Sequence, residues 1–283
     1  MKTITAHCLV KNEARFIWYS VMSVIKHVDK LLLWDTGSTD GTLEIIDQIE
    51  KADREKKVEV IRLKDVDVQG FAKVRQDMLD VTSTDWFIVV DGDEIWWEDS
   101  IKKVVQVVRS SAGGEMESIV VPTYNLVGDI YHYQEEAAGK YNLAGRRGHL
   151  NLRAVRRNIP GLHSSGPHGA WGWVDNKNCM IQDRDPEKVI FVDAPYLHAT
   201  HLQRSINMLF EEKVPKRAKK LKHELGTPFP RDFYYPEVFF RGRPENIPSP
   251  WAKMSKSFKL RAFLETPARK IKRRVFRSAR IGY

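Results

Sequence analysis

The sequence predicts an α/β fold with a doubly wound, mostly parallel central sheet, and three observations predict it. Segments with strand and helix signatures alternate four times within the first part of the chain, the pattern of strands joined by crossover helices. Two of the strands, residues 30–34 (KLLLW) and 86–90 (WFIVV), are apolar runs too short for helices, as expected of strands covered on both faces. Both run straight into acidic, glycine-containing turns, 35–42 (DTGSTDGT) and 91–94 (DGDE). Open sheets of this class present their chemistry at the carboxyl ends of such strands.

Residues 3–10 alternate like a first strand, and Asn12 is placed to cap a helix reaching about residue 27, with Ile17, Val21, Val24 and Val28 at helical spacing. After the second strand and its loop, 43–52 reads as a helix with Leu43, Ile46 and Ile49 on one face. Residues 58–62 are a third strand, 70–81 a helix with Phe71, Val74, Met78 and Leu79 inward, and 86–90 the fourth strand. Right-handed crossovers then put Asp35 and Asp91 on one edge of the sheet. A helix over 99–111 and a strand over 118–124 follow, and 125–148 reads as loop. Residues 149–156, 179–182 and 188–192 read as shorter, mixed or antiparallel strands, forming a small subsheet. Residues 201–224 read as a helix interrupted near Pro215. Six of the thirteen prolines fall in 226–251, which should wrap over the body rather than build a core. The expected division is a domain over 1–225 (halves 1–100 and 101–225), a wrapping segment over 226–250 and a basic helical tail over 251–283.

A chain of 283 residues with 42% hydrophobic and 29% charged residues belongs with globular proteins. No apolar run is long enough to span a bilayer, and the N-terminal stretch is too short and polar for a signal peptide. Only Cys8 and Cys179 are present, which argues against a disulfide framework and suits a reducing cytoplasm. The net charge of +9 is localised: residues 251–283 carry 11 Lys or Arg against the single acid Glu265, a local +10. Subtracting +10 from +9 leaves the body at −1, so the protein is a near-neutral body with a basic tail.

In an extended chain Asp91 and Asp93 point the same way, and two close carboxylates repel unless a positive group lies between them. A divalent cation is the usual answer. The familiar phosphate signatures are missing: there is no G-x-G-x-x-G at the first helix and no G-x-x-x-x-G-K-[ST]. The Asp91 turn is not a calcium loop, because its sixth position is Trp96 and its twelfth Lys102. No G-x-S-x-G elbow is present either.

Four stretches in order, CLVKNEARFI, LLLWDTGSTDGTLEI, GFAKVRQDML and DWFIVVDGDE, resemble the nucleotide-binding half of family-2 glycosyltransferases with the Rossmann-like GT-A fold. The likeness is nearest to the branch of lipooligosaccharide β-glucosyltransferases, covers roughly residues 3–100 and is thin beyond. It implies transfer of a sugar from a nucleotide-diphosphate sugar, a UDP-sugar favoured, to a hydroxyl of a cell-surface or lipid-linked glycan, with inversion. By the same resemblance Asp35 accepts from the nucleobase, Glu13 lies near base or ribose, and Arg75 and Lys11 face the diphosphate. Thr36 stands where many relatives carry a second acid. Asp91 is implied at ribose or metal and Asp93 as the main ligand of Mn²⁺ or Mg²⁺, which neutralises the departing diphosphate. His198 is implied as a further metal ligand, with His201 as the alternative. His163 and His168 resemble an acceptor-side segment in which Gly169 replaces an acid. An inverting transfer needs a base, and Asp175, Asp129 and Glu94 are the carboxylates considered, with Asp175 put first. Trp96, Trp97, Trp171 and Trp173 are candidates to stack on sugars, at least half of them being ordinary core aromatics. Taken singly, each polar residue here is as well explained by a solvated surface; taken together and in order, they are not.

In the tail, Thr266 is placed as a cap and Pro267 at the first helical position, with Ile271, Val275, Phe276 and Ala279 on one face and basic residues on the others. Such a helix suits an anionic membrane surface on the inner leaflet, the reading put ahead of a nucleic-acid contact, which is not expected, and of a solvated, partly disordered end. The alternatives are a sugar nucleotidyltransferase, which needs a glycine-rich basic first loop that KNEARF lacks, and a non-catalytic binding module.

Overall fold

The structure, a computed structural model, describes residues 1–110, 116–168 and 170–275. Four strands alternating with three helices open the chain: β1 (Ile4–Val10), α1 (Ile17–Val24), β2 (Lys30–Asp35), α2 (Thr42–Ala52), β3 (Val58–Arg62), α3 (Gly70–Asp80) and β4 (Trp86–Val89). After a short strand β5 (Glu94–Trp96) and α4 (Glu98–Arg109), the second half brings β6 (Ser118–Val127), β7 (Asp129–Tyr133), β8 (Tyr141–Leu143), β9 (Arg146–Gly148) and β10 (Leu150–Arg156). The hairpin β11 (His163–Ser165) and β12 (Gly172–Val174) precedes β13 (Val189–Phe191) and β14 (Tyr196–His201). Two short helices, α5 (Met208–Glu212) and α6 (Arg217–Lys220), the strand β15 (Thr227–Pro228) and the long α7 (Lys256–Val275) complete the described elements.

The main sheet runs β15-β7-β6-β10-β4-β1-β2-β3. Its half with β4, β1, β2 and β3 is parallel throughout, with Val10 opposite Asp35 and His7 opposite Val89. β10 enters antiparallel between β4 and β6, and β14 runs parallel to β6. Alternation along the strands buries apolar residues on both faces of this half. Ala6, Cys8, Val10, Leu31 and Leu33 face α1, α2 and α4. Leu9, Leu32 and Trp34 face Val74 and Met78 of α3 on the other side. Leu31, Leu32 and Leu33 are all fully buried, which is why the KLLLW run carries no polar alternation.

Several sequence expectations are corrected. Asn12 does not cap α1: its φ is +55°, and its carboxamide instead accepts from Thr39 N (2.8 Å) and donates to Phe210 O (3.2 Å). The stretch 125–148 is not loop but holds β7 and the hairpin β8–β9. Residues 179–182 do not form a strand; Ile181–Asp183 is a 3-10 turn. No long helix fills 201–224, and His198 and His201 lie on β14 rather than opening a helix. Thr266 is no cap, because α7 begins at Lys256 and carries Pro267 inside it. Its hydroxyl donates to Ala262 O and accepts from Leu225 N, which fastens the helix to the body. Phe276 and Ala279 lie outside the described residues, as does Gly169.

Candidate active site

The parallel register brings the ends of β1, β2 and β4 to one rim, where a cleft of ≈ 990 Å³ opens. That volume lies at the upper end of small-molecule sites. Lys11, Glu13, Arg75, Asp91, Asp93, His198 and His201 line it, joined by Arg153, Arg204, Arg217, Lys220 and Trp171. The acidic pair reaches the cleft by a route other than strand alternation. After Val90 the chain turns tightly, Glu94 N donating to Asp91 O at 3.1 Å, and the turn presents Asp91 and Asp93 together. Gly92 permits it: a Cβ there would lie 2.9 Å from both Val10 Cγ1 and Glu13 Cγ.

Each acid is answered by a buried guanidinium. Arg75 Nη2 donates to Asp91 Oδ1 (2.8 Å), and Arg204 Nη1 donates to Asp93 Oδ2 (2.7 Å). Arg204 also lies 3.1 Å from Glu13 Oε1, which accepts from Arg217 Nη2 at 2.5 Å. Burial pushes both aspartates up, but Arg75 and then Arg153 outweigh it at Asp91, and Arg204 and then His198 at Asp93. Both therefore sit below the usual carboxylate range, Asp93 well below it. Arg75 keeps two donors in reserve: its Nε and Nη1 are buried with no hydrogen-bond partner among the described residues.

The two histidines separate. His198 Nε2 lies 3.4 Å from Asp93 Oδ2. His201 Nδ1 donates to the Lys220 carbonyl (2.8 Å), so its Nε2 is an acceptor and takes a hydrogen bond from Lys222 Nζ (3.0 Å). Burial, then Lys222, holds the His201 pKa well below its ordinary value. Carboxylate and imidazole at Asp93 and His198 are donors of the type a divalent cation takes. Among the described residues no set of three or more His, Cys, Asp or Glu side chains is gathered as a complete metal cage.

Four predicted carboxylates are not part of the cleft wall. Asp35 reaches the right rim, but its carboxylate is turned into its own loop, accepting from Gly37 N and Ser38 N (both 2.9 Å) and from the Ser38 hydroxyl. Thr36 lines the cleft in its place. Asp175 is ion-paired to Arg184 and accepts from Lys177 N and Cys179 N, the needs of a turn rather than of a base. Asp129 holds His132 (2.6 Å) and Met254 N (2.9 Å). Glu94 is fully buried on Arg153 and the Tyr196 hydroxyl (2.9 Å). Asp183 does line the cleft, is exposed, and has no ion-pair partner among the described residues. Of the four tryptophans only Trp171 reaches the cleft, 5.1 Å beneath the Arg75 guanidinium; Trp96 and Trp173 are core. His168 lines the cleft as well, edge-on to Phe71, and burial and then Lys220 push its pKa down to about 4. His163 caps the Gly161 carbonyl instead.

Sequence reasoning missed Arg153, Arg204, Arg217 and Lys220. The one signal at hand was Arg204, three residues beyond His201 in the HATHLQRS stretch.

The profile described as Glycosyl transferase family 2 matches residues 8–161, more than half of the chain. Among solved structures, Staphylococcus aureus TarS aligns over 70% of this chain and 37% of its own, at 14% identity and a TM-score of 0.47. Glucosyl-3-phosphoglycerate synthase from Mycobacterium tuberculosis, crystallised with Mn²⁺, UDP and glucosyl-3-phosphoglycerate, aligns over 78% of this chain and 77% of its own, at 14% identity and a TM-score of 0.45. No curated protein gives a significant match.

Proposed function

The chain belongs to glycosyltransferase family 2, and from that premise we propose that it moves a sugar from a nucleotide-diphosphate donor, a UDP-sugar, to a hydroxyl acceptor with inversion. One observation carries the reading: Asp91, Asp93 and Glu13 meet Arg75, Arg204 and Arg217 in a single cleft at the carboxyl ends of β1 and β4. In this reading the nucleoside lies against Lys11, Glu13 and Thr36, and Asp35 serves by shaping its loop rather than by touching the base. The guanidinium groups of Arg75 and Arg204, at the cleft wall beside Asp91 and Asp93, supply fixed positive charge toward the diphosphate, which in a dry site stabilises the leaving group. A divalent cation, Mn²⁺ or Mg²⁺, would be held by Asp93 and His198 and would supply further charge neutralisation of the diphosphate. Asp183, a cleft carboxylate with no ion-pair partner among the described residues, takes the acceptor proton.

The acceptor is a glycan or lipid-linked glycan, and the enzyme meets it at an anionic membrane surface. α7 supports this: Leu260, Phe263, Leu264, Ile271 and Val275 form one outward stripe, each at least 62% exposed. The stripe spans an arc of about 120° and is flanked by Lys259, Arg261 and Lys270, the pattern of a helix lying in a bilayer interface. No helix among the described residues is long and apolar enough to cross a membrane.

The test is a thermal-shift panel of UDP-, GDP- and dTDP-sugars with and without Mn²⁺. A ligand of the native state at 100 times its Kd adds about 2.7 kcal/mol, so one nucleotide should raise the Tm by several degrees, and more with Mn²⁺. Asp93→Ala should abolish the Mn²⁺-dependent part. Asp183→Asn should keep the full shift while losing transfer. A silent panel would overturn the reading.

A further inference from the structure

Beyond the donor contacts, the cleft wall carries a second group of cations. Lys219, Lys220 and Lys222 reach it from α6 and the irregular segment that follows it, and Arg269, Lys272 and Arg273 from the inner face of α7. The two arginines are tied down, Arg269 to Glu265 and Arg273 to Glu224 and Glu135. Lys219, Lys220, Lys222 and Lys272 have no carboxylate at ion-pair distance among the described residues. Gln134, its carboxamide oxygen assigned by the hydrogen-bond network, accepts from Arg273 Nη2 (2.9 Å) and Lys222 Nζ (3.1 Å), which gathers these two like charges side by side. The arrangement is costly for the protein alone: burial, then Arg273, pushes the Lys222 pKa down to about 8. Glu224 offsets part of this charge, and an anion at Lys222 would offset the rest.

The position of the cluster says which anion. β14 passes Asp93 at His198 and reaches Lys222 at His201, three residues further. β14 is bulged between the two histidines, whose partners on β6, Asn125 and Val127, are two residues apart, so at ~3.3 Å per residue the second charge centre lies roughly 7 Å further along the sheet. The diphosphate of the donor is met by Arg75 and Arg204 at the first centre. The second lies on the acceptor side, between β6, β7 and α7, beside Asn125 and His149.

We propose that the acceptor is anionic, carrying a phosphate monoester or a carboxylate that Lys222 and Lys272 hold, with Gln134 and Arg273, while its hydroxyl reaches the donor. The inference rests on the glycosyltransfer reading above. Binding energy from this non-reacting group positions the nucleophile.

The experiment uses the full chain saturated with UDP and Mn²⁺, and follows binding of inorganic phosphate, and separately of acetate, by NMR line width at low ionic strength. The wild type should bind at least one of the two in the presence of UDP, phosphate pointing to a phosphorylated acceptor and acetate to a carboxylated one. The Lys222→Ala/Lys272→Ala variant should lose at least tenfold in that affinity while its UDP affinity changes less than twofold, which also shows that it is folded. Competition between phosphate and UDP, with UDP affinity lost in the variant, would assign the lysines to the donor and overturn the proposal. So would failure of UDP-bound wild type to take up either anion. A wild type that binds no nucleotide overturns the donor reading together with this one.

Discussion

Gly92 shows how much of the site hangs on a single residue. It lies between the two aspartates with its Cα against Glu13 and Val10, so that the acidic turn and the Lys11–Glu13 segment touch. Replacing it with alanine forces a methyl group to within 2.9 Å of the Glu13 stem and of Val10, which must both move. Overpacking of this kind costs about 1–3 kcal/mol. Gly92→Ala should therefore lower the urea midpoint by that amount at unchanged m-value, and weaken nucleotide binding by displacing Glu13 from Arg217. An unchanged midpoint and unchanged binding would show that the contact is slack. Asp35 teaches the complementary lesson. Its place at the end of a buried strand was legible, but its carboxylate is spent on Gly37 and Ser38. An aspartate before a tight loop satisfies local backbone donors first, and only those left over are free for ligand.

Among the elements, the alternating strands and helices were legible because each carries its own period: apolar runs for β2 and β4, and inward residues at helical spacing for α2, α3 and α4. The second half lacked that clarity. β14 alternates little, being buried along nearly its whole length, and its neighbours β5 and β6 lie far away in sequence. Proline's preference for a first turn predicts that α7 starts at Pro267, but proline also survives inside an exposed helix when its lost hydrogen bond faces solvent. What holds α7 is Thr266, whose hydroxyl satisfies Leu225 N at 3.0 Å. Thr266→Val keeps the shape and orphans that donor, at a cost of roughly 1–3 kcal/mol. Amide exchange in α7 should then quicken by tenfold or more while β1 and β4 stay protected. Exchange rates in α7 equal to wild type would mean that the Arg273–Glu224 pair alone anchors the helix.

For the molecule as a whole, α7 has two opposed faces: Arg269 and Arg273 toward the cleft, and the apolar stripe outward. A protein docked through that stripe would hold its cleft beside the membrane. Vesicles of mixed phosphatidylglycerol and phosphatidylcholine should pull down the full chain, and added salt should weaken the interaction as the basic flanks are screened. Burying one large apolar side chain contributes about 1.5–3 kcal/mol, so Phe263→Glu/Leu264→Glu should reduce binding by well over tenfold. Equal recovery of wild type and variant, or no recovery by anionic vesicles, would remove the membrane from the proposal.

The sequence by itself determined the strand–helix alternation, the shared rim and the acidic turn, because periodicity, short apolar runs and glycine are local properties that neighbouring residues express together. Only the tertiary structure decided which charge meets which. Arg217 answers Glu13 across 204 residues, Arg204 answers Asp93 across 111, and Arg153 answers Glu94 across 59. An arginine has no period and no preferred partner until the chain is compact. Burial then makes an unpaired charge so costly that each acid keeps the guanidinium the fold delivers to it.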